Sequence, residues 1–139
     1  MTDLTANALA HWTGPLGLPD FVAVHAADFP AAFDAAIAAH AAEIAAIAAD
    51  PDAPSIDNTL KRLELSGRPL SRISALFFLL AGADTSPKIQ EIERAIAPKL
   101  ARHSAMIAMD PALFARIEAL HEARASAGLD AETRRALEK

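Results

Sequence analysis

A chain of 139 residues with a net charge of −5 and a pI near 5.4 is one domain or part of one, and its thirteen Lys and Arg are scattered. No basic patch of the kind that displaces phosphate counterions is present, which excludes nucleic acid as a partner. The hydrophobic fraction of 53% contains 35 alanines, while aromatics make up 5% and valine occurs only at Val22 and Val24, so a β-sheet protein is excluded too.

Alanine is the best helix former and a poor core filler, so the composition calls for closely packed helices. There is no cysteine, in keeping with a reducing cytoplasm. Met1-Thr2-Asp3-Leu4 lacks the basic start and apolar core of a signal peptide. The longest apolar run, Ala75 to Ala83, is far short of the ~20 residues that span a bilayer. The expectation is a soluble cytoplasmic chain with no membrane contact.

Residues 1–27 read as an irregular arm, because Gly14-Pro15-Leu16-Gly17-Leu18-Pro19 cannot sustain a helix. Trp12, Leu16, Leu18 and Phe21 give that arm apolar surface with which to lie across something else. A helical domain over 28–139 follows. Its first helix, 29–49, starts near the cap candidate Asp28 with Pro30 in the tolerated first turn. Phe33, Ile37, His40, Ile44 and Ile47 share one stripe, and Asp50-Pro51-Asp52-Ala53-Pro54 ends the helix.

The second helix, 55–81, opens at Ser55 or Asp57 and carries Leu60, Leu63, Leu70, Ile73, Phe77 and Leu80. Gly67 and Pro69 fall inside it, so a kink or break belongs near Pro69. Beyond the kink, Leu76-Phe77-Phe78-Leu79-Leu80 is apolar around the whole circumference and demands cover on every side.

Ser86-Pro87 starts a third helix, 86–108, with Ile89, Ile92, Ile96, Leu100, His103 and Ile107 on its stripe and a distortion at Pro98. Asp110-Pro111 repeats the start signal for a fourth, 111–126, bearing Leu113, Phe114, Ile117 and Leu120. Gly128 reads as a C-cap. Leu129-Asp130-Ala131-Glu132 then opens a fifth helix, 130–139, which reaches Lys139 without a stop signal, as though the chain were cut inside an element. The fold class expected is all-α: an antiparallel bundle of four long helices plus part of a fifth.

Chemistry is scarce. His121-Glu122-Ala123-Arg124-Ala125 begins like the zinc-peptidase helix His-Glu-x-x-His, but Ala125 stands where the second imidazole is needed. His40 and His103 lie on apolar stripes and could face each other, although a buried His bonded to a backbone carbonyl is commoner. Glu118-Ala119-Leu120-His121 has the Glu-x-x-His spacing of a di-iron bundle, which needs two such pairs and two further Glu. No nucleophile elbow, phosphate loop or dinucleotide fingerprint occurs. The reading therefore assigns no catalytic, cofactor-binding or metal-binding residue to this chain.

Several stretches, taken together, resemble the N-terminal region of bacterial peptidyl-dipeptidases in the thimet-oligopeptidase-like family of zinc metallopeptidases. They are Gly17-Leu18-Pro19-Asp20-Phe21, Phe29-Pro30-Ala31-Ala32-Phe33, Glu43-Ile44-Ala45-Ala46-Ile47-Ala48 and Asp57-Asn58-Thr59-Leu60. Next come Ser66-Gly67-Arg68-Pro69-Leu70-Ser71-Arg72, Phe77-Phe78 with Ala81-Gly82-Ala83-Asp84-Thr85, Ile96-Ala97-Pro98-Lys99-Leu100-Ala101-Arg102-His103, and Leu113-Phe114-Ala115-Arg116-Ile117. Gly14-Pro15 and Pro69 depart from the pattern.

The resemblance implies an almost wholly helical enzyme in which these helices form a wall of the channel that admits short peptides. It implies zinc in the full-length parent, oligopeptide substrates that lose C-terminal dipeptides, and the remainder of the peptidase as partner. The zinc-binding helix has no counterpart in this chain, which would be non-catalytic by itself. An apolar face left uncovered would favour a homodimer of the segment, built as a symmetric pair. The alternative class is a free-standing helical module that binds a peptide or partner helix, and a ligand- or metal-binding bundle ranks below both.

Overall fold

A computed structural model describes residues 7–83 and 86–123 of the chain. The architecture is all-α. Among the described residues there is no strand, and the α-helices are α1 (Phe29–Ala48), α2 (Arg62–Leu65), α3 (Arg68–Ala83), α4 (Pro87–Ala108) and α5 (Pro111–Ala123). A wider-wound π turn, Ile56–Lys61, runs into α2. The fifth helix expected at 130–139 and the Gly128 cap lie outside the described residues.

The start signals work as side-chain chemistry dictates. Ser55 accepts from the backbone N–H of Asn58 at 3.1 Å while Asn58 accepts from that of Ser55 at 2.8 Å, a reciprocal capping box. Ser86 caps α4 through the N–H of Ile89, and Asp110 caps α5 through the N–H groups of Ala112 and Leu113. Asp28 departs from expectation. It closes a 3-10 turn, Ala26–Asp28, that leads straight into α1, so helical winding begins ahead of Phe29.

The break in the expected second helix also sits elsewhere. The chain turns at Ser66, whose backbone is extended, and at Gly67, whose φ is +66°. Pro69 then falls in the first turn of α3, where a missing N–H costs nothing. Pro98 does not divide its helix, and α4 runs through it from Pro87 to Ala108.

The chain divides into two compact units, residues 1–41 with 67–104 and residues 42–66 with 105–139. The first is built on three rings. Phe29, Phe33 and Phe77 are fully buried, and Phe77 meets the other two edge-on at centroid distances of 5.1 and 5.6 Å. Leu70, Ile73 and Leu76 of α3 and Ile89, Ile92 and Ile96 of α4 complete the cluster. Ala32 and Ala36 are buried in the same cluster.

Of the four arm residues expected to pack, only Trp12 joins this core. Leu9 and Ala10 are buried in it, and Trp12, Val24 and Ala26 pack against it. Arg72 stacks over the Trp12 ring at 5.7 Å and donates to the carbonyl of Ala10. Leu16, by contrast, is 98% exposed with a left-handed backbone, and Leu18 and Phe21 are exposed as well. Their side chains follow the Gly-Pro turns outward instead of lying across the helices.

The second unit has a smaller core of Ile44, Ile47 and Leu113, with Leu63, Ile107 and Ile117 packed on it. Residues 26–48 reach a mean hydropathy of 1.4, long and apolar enough by length and composition to cross a bilayer. Alanine produces that value, and the large side chains Phe29, Phe33, Ile44 and Ile47 are buried in protein.

Candidate functional site

In the second unit the best-developed polar arrangement is centred on Arg116, which is buried on α5. Leu113, Arg116 and Leu120 recur at helical spacing on the inward face, whereas Phe114, expected there, is 61% exposed. A guanidinium is tolerated inside only if its donors find acceptors. Here Nε donates to Thr59 Oγ1 at 3.2 Å, one terminal nitrogen to the carbonyls of Asp50 (2.7 Å) and Asp52 (3.1 Å), and the other to Asn58 Oδ1 at 3.0 Å.

Asn58 Oδ1 accepts from Thr59 Oγ1 and the Ser55 N–H as well, so one amide ties the helix start to the buried arginine. Buried Thr59 both donates to Asn58 and accepts from Arg116. Every partner is an acceptor already committed inside the protein. The arrangement stitches α5 to the loop before the π turn.

In the first unit His40 and His103 meet. The His103 Nε2 and His40 Nδ1 atoms are 2.9 Å apart, one donating and the other accepting, with the rings edge-on at a centroid distance of 4.9 Å. The sequence could place them on facing stripes, but the commoner backbone-carbonyl partner does not explain His103. Gly67 lies against this pair, and a Cβ there would stand 2.8 Å from the His40 ring.

Zinc does not fit what is present. Among the described residues no group of three His, Cys, Asp or Glu is placed to hold a metal. The two imidazoles that do meet are hydrogen-bonded to each other, and among the described residues no third ligand is placed with them. His121 and Glu122 stand at the end of α5 without a second imidazole four residues on. Among the described residues no buried side-chain nitrogen or oxygen lacks a partner. A shallow groove of about 470 Å³ in the second unit has an apolar floor of Ala42, Ala46, Ile47 and Leu65, with Glu43 and Arg62 at its rim. Arg62 is already paired with Asp50 at 2.8 Å.

The described residues form an all-helical architecture whose buried polar side chains are partnered. Known proteins place the chain further. Over 121 residues, 87% of the chain, it is 38% identical to a dipeptidyl carboxypeptidase of Salmonella typhimurium, and over 130 residues, 94% of the chain, it is 35% identical to the dipeptidyl carboxypeptidase of Escherichia coli. Those alignments take in only 18% and 19% of the two relatives, so the chain spans less than a fifth of the length of the proteins it matches. No protein-family model matches it. The chain is similar to a segment of the dipeptidyl carboxypeptidases.

Proposed function

We propose that this chain is a non-catalytic helical segment of a zinc peptidyl-dipeptidase and forms part of the wall of the channel that admits short peptides. The whole protein would hydrolyse oligopeptides in the cytoplasm and release dipeptides from their C-termini. The observation that carries the reading is the match itself, 35–38% identity over most of this chain against under a fifth of each relative.

The residues here suit such a role. The described ones build two apolar cores around a partnered buried arginine, and among them no zinc ligand set occurs. What the segment contributes is shape, and no step of the hydrolysis is assigned to its side chains. Bound to the rest of the enzyme, zinc would activate the attacking water. The test is an exchange, in which this chain replaces the matched segment of the E. coli relative. The hybrid is expected to release C-terminal dipeptides, while the 139-residue chain alone cleaves nothing and holds no stoichiometric zinc. A folded hybrid without dipeptide release, or one tightly held zinc per isolated chain, would overturn the reading.

A further inference from the structure

The face of α3 turned away from the aromatic core is itself apolar. Leu70, Ile73, Leu76 and Phe77 point into the first unit, yet Phe78 is 45% exposed and Leu79 57% exposed. Ala75 and Gly82 are exposed with them, one turn before and one turn after, which gives a stripe at i, i+3, i+4, i+7. No charged residue occurs between Ile73 and Ala83. A Cβ built on Gly82 would meet nothing within 4 Å, so the small residues flank two bulky side chains with open space. Small and large neighbours in this order suit knobs packing into holes.

We propose that this stripe of α3 is where the rest of the polypeptide docks in a protein of the relatives' length, through an apolar helix laid along Ala75, Phe78, Leu79 and Gly82. The inference rests on the family reading above. A chain that spans 18–19% of its relatives leaves more than four fifths of such a protein to supply the covering surface. The absence of charge on the stripe argues against a nucleic acid, a lipid headgroup or a charged peptide as occupant. Continuous apolar surface of this kind marks a contact to be made.

The experiment compares Phe78→Asp with Leu79→Asp, combined, in two settings: the isolated 139-residue chain and the hybrid that carries this chain in the E. coli relative. In the isolated chain Leu79 is 57% and Phe78 45% exposed, the Phe78 ring still resting edge-on against Phe77 at 5.4 Å, so the parent's melting profile should persist with its midpoint lowered by no more than about 8 °C. In the hybrid the same pair should split the single thermal transition in two and expose the junction to limited proteolysis. A Gln90→Asp hybrid, altered at an exposed position on α4, should behave as the parent hybrid does.

A doubly substituted hybrid that keeps one cooperative transition and full protease resistance overturns the docking face while leaving the family reading intact. An isolated parent chain that sediments as a dimer, made monomeric by the substitutions while the hybrid is untouched, assigns the stripe to a second copy and overturns the proposal too. A parent hybrid that is folded but releases no dipeptide takes down the family reading, and the proposal with it.

Discussion

At Gly67 one added carbon is penalised twice, by backbone conformation and by contact. The φ of +66° is left-handed, which costs a residue with a Cβ about 1–2 kcal/mol, and that Cβ would sit 2.8 Å from the His40 ring. Gly67→Ala is therefore expected to lower the unfolding free energy by at least that amount, seen as a lower denaturant midpoint, and an unchanged midpoint would mean the backbone relaxes freely there. Arg116→Ala should cost about 2–3 kcal/mol, because it strands Thr59, Asn58 and two loop carbonyls inside the second unit. Arg116→Lys, which cannot reach four acceptors from one nitrogen, should recover only part of the loss. The adjacent pair Phe77 and Phe78 should differ sharply in the isolated chain. Phe77→Ala is expected to cost about 3–5 kcal/mol and Phe78→Ala about 0.5 kcal/mol, read as urea midpoints. Such contrasts are only half legible in the sequence. Periodicity places Phe77 inward, but Arg116 looks like a surface charge until the Asp50 and Asp52 carbonyls, some 60 residues away in the chain, come to face it.

Helix beginnings proved the most legible feature of the elements, since a cap is local chemistry. Ser55, Ser86-Pro87 and Asp110-Pro111 all start helical turns as their side chains require. Breaks were harder to read, because proline acts differently by position. Pro69 sits in a first turn and does no damage, the true break being at Gly67, while Pro98 is interior and exposed yet α4 continues through it. That helix carries an unfilled ladder position which tertiary packing must offset. Pro98→Ala should thus raise stability, by up to about 3 kcal/mol if the backbone is otherwise helical. A melting temperature that falls instead would show that the proline shapes α4 for a contact that alanine cannot make. The arm was the least legible element. Trp12 makes the contact its size suggested, but Gly-Pro turns carry Leu16 and Phe21 outward while the smaller Leu9 and Ala10 enter the core. The family resemblance, by contrast, was legible from eight short stretches in order, and the curated relatives bear it out.

Across the whole chain, stability should be uneven in a way that follows from where the apolar volume lies. Among the described residues the first unit buries three phenylalanine rings together with six large aliphatic side chains from α3 and α4. The second buries Ile44, Ile47 and Leu113 and relies on Arg116 for much of its remaining order. Burial of a large apolar side chain contributes about 1.5–3 kcal/mol, whereas a buried hydrogen bond contributes about 1 kcal/mol net. The second unit should therefore open at lower free energy than the first. Local openings follow such differences in buried contact. Native-state hydrogen exchange is expected to show amides of 59–65 and 114–120 exchanging through openings smaller than the global one. Amides of 73–80 and 92–100 should exchange only with global unfolding. Arg116→Ala should widen that gap by accelerating the first set alone, and Phe77→Ala should narrow it. Equal protection across both sets, with both substitutions moving every amide together, would mean that the chain unfolds as one cooperative body despite its two cores.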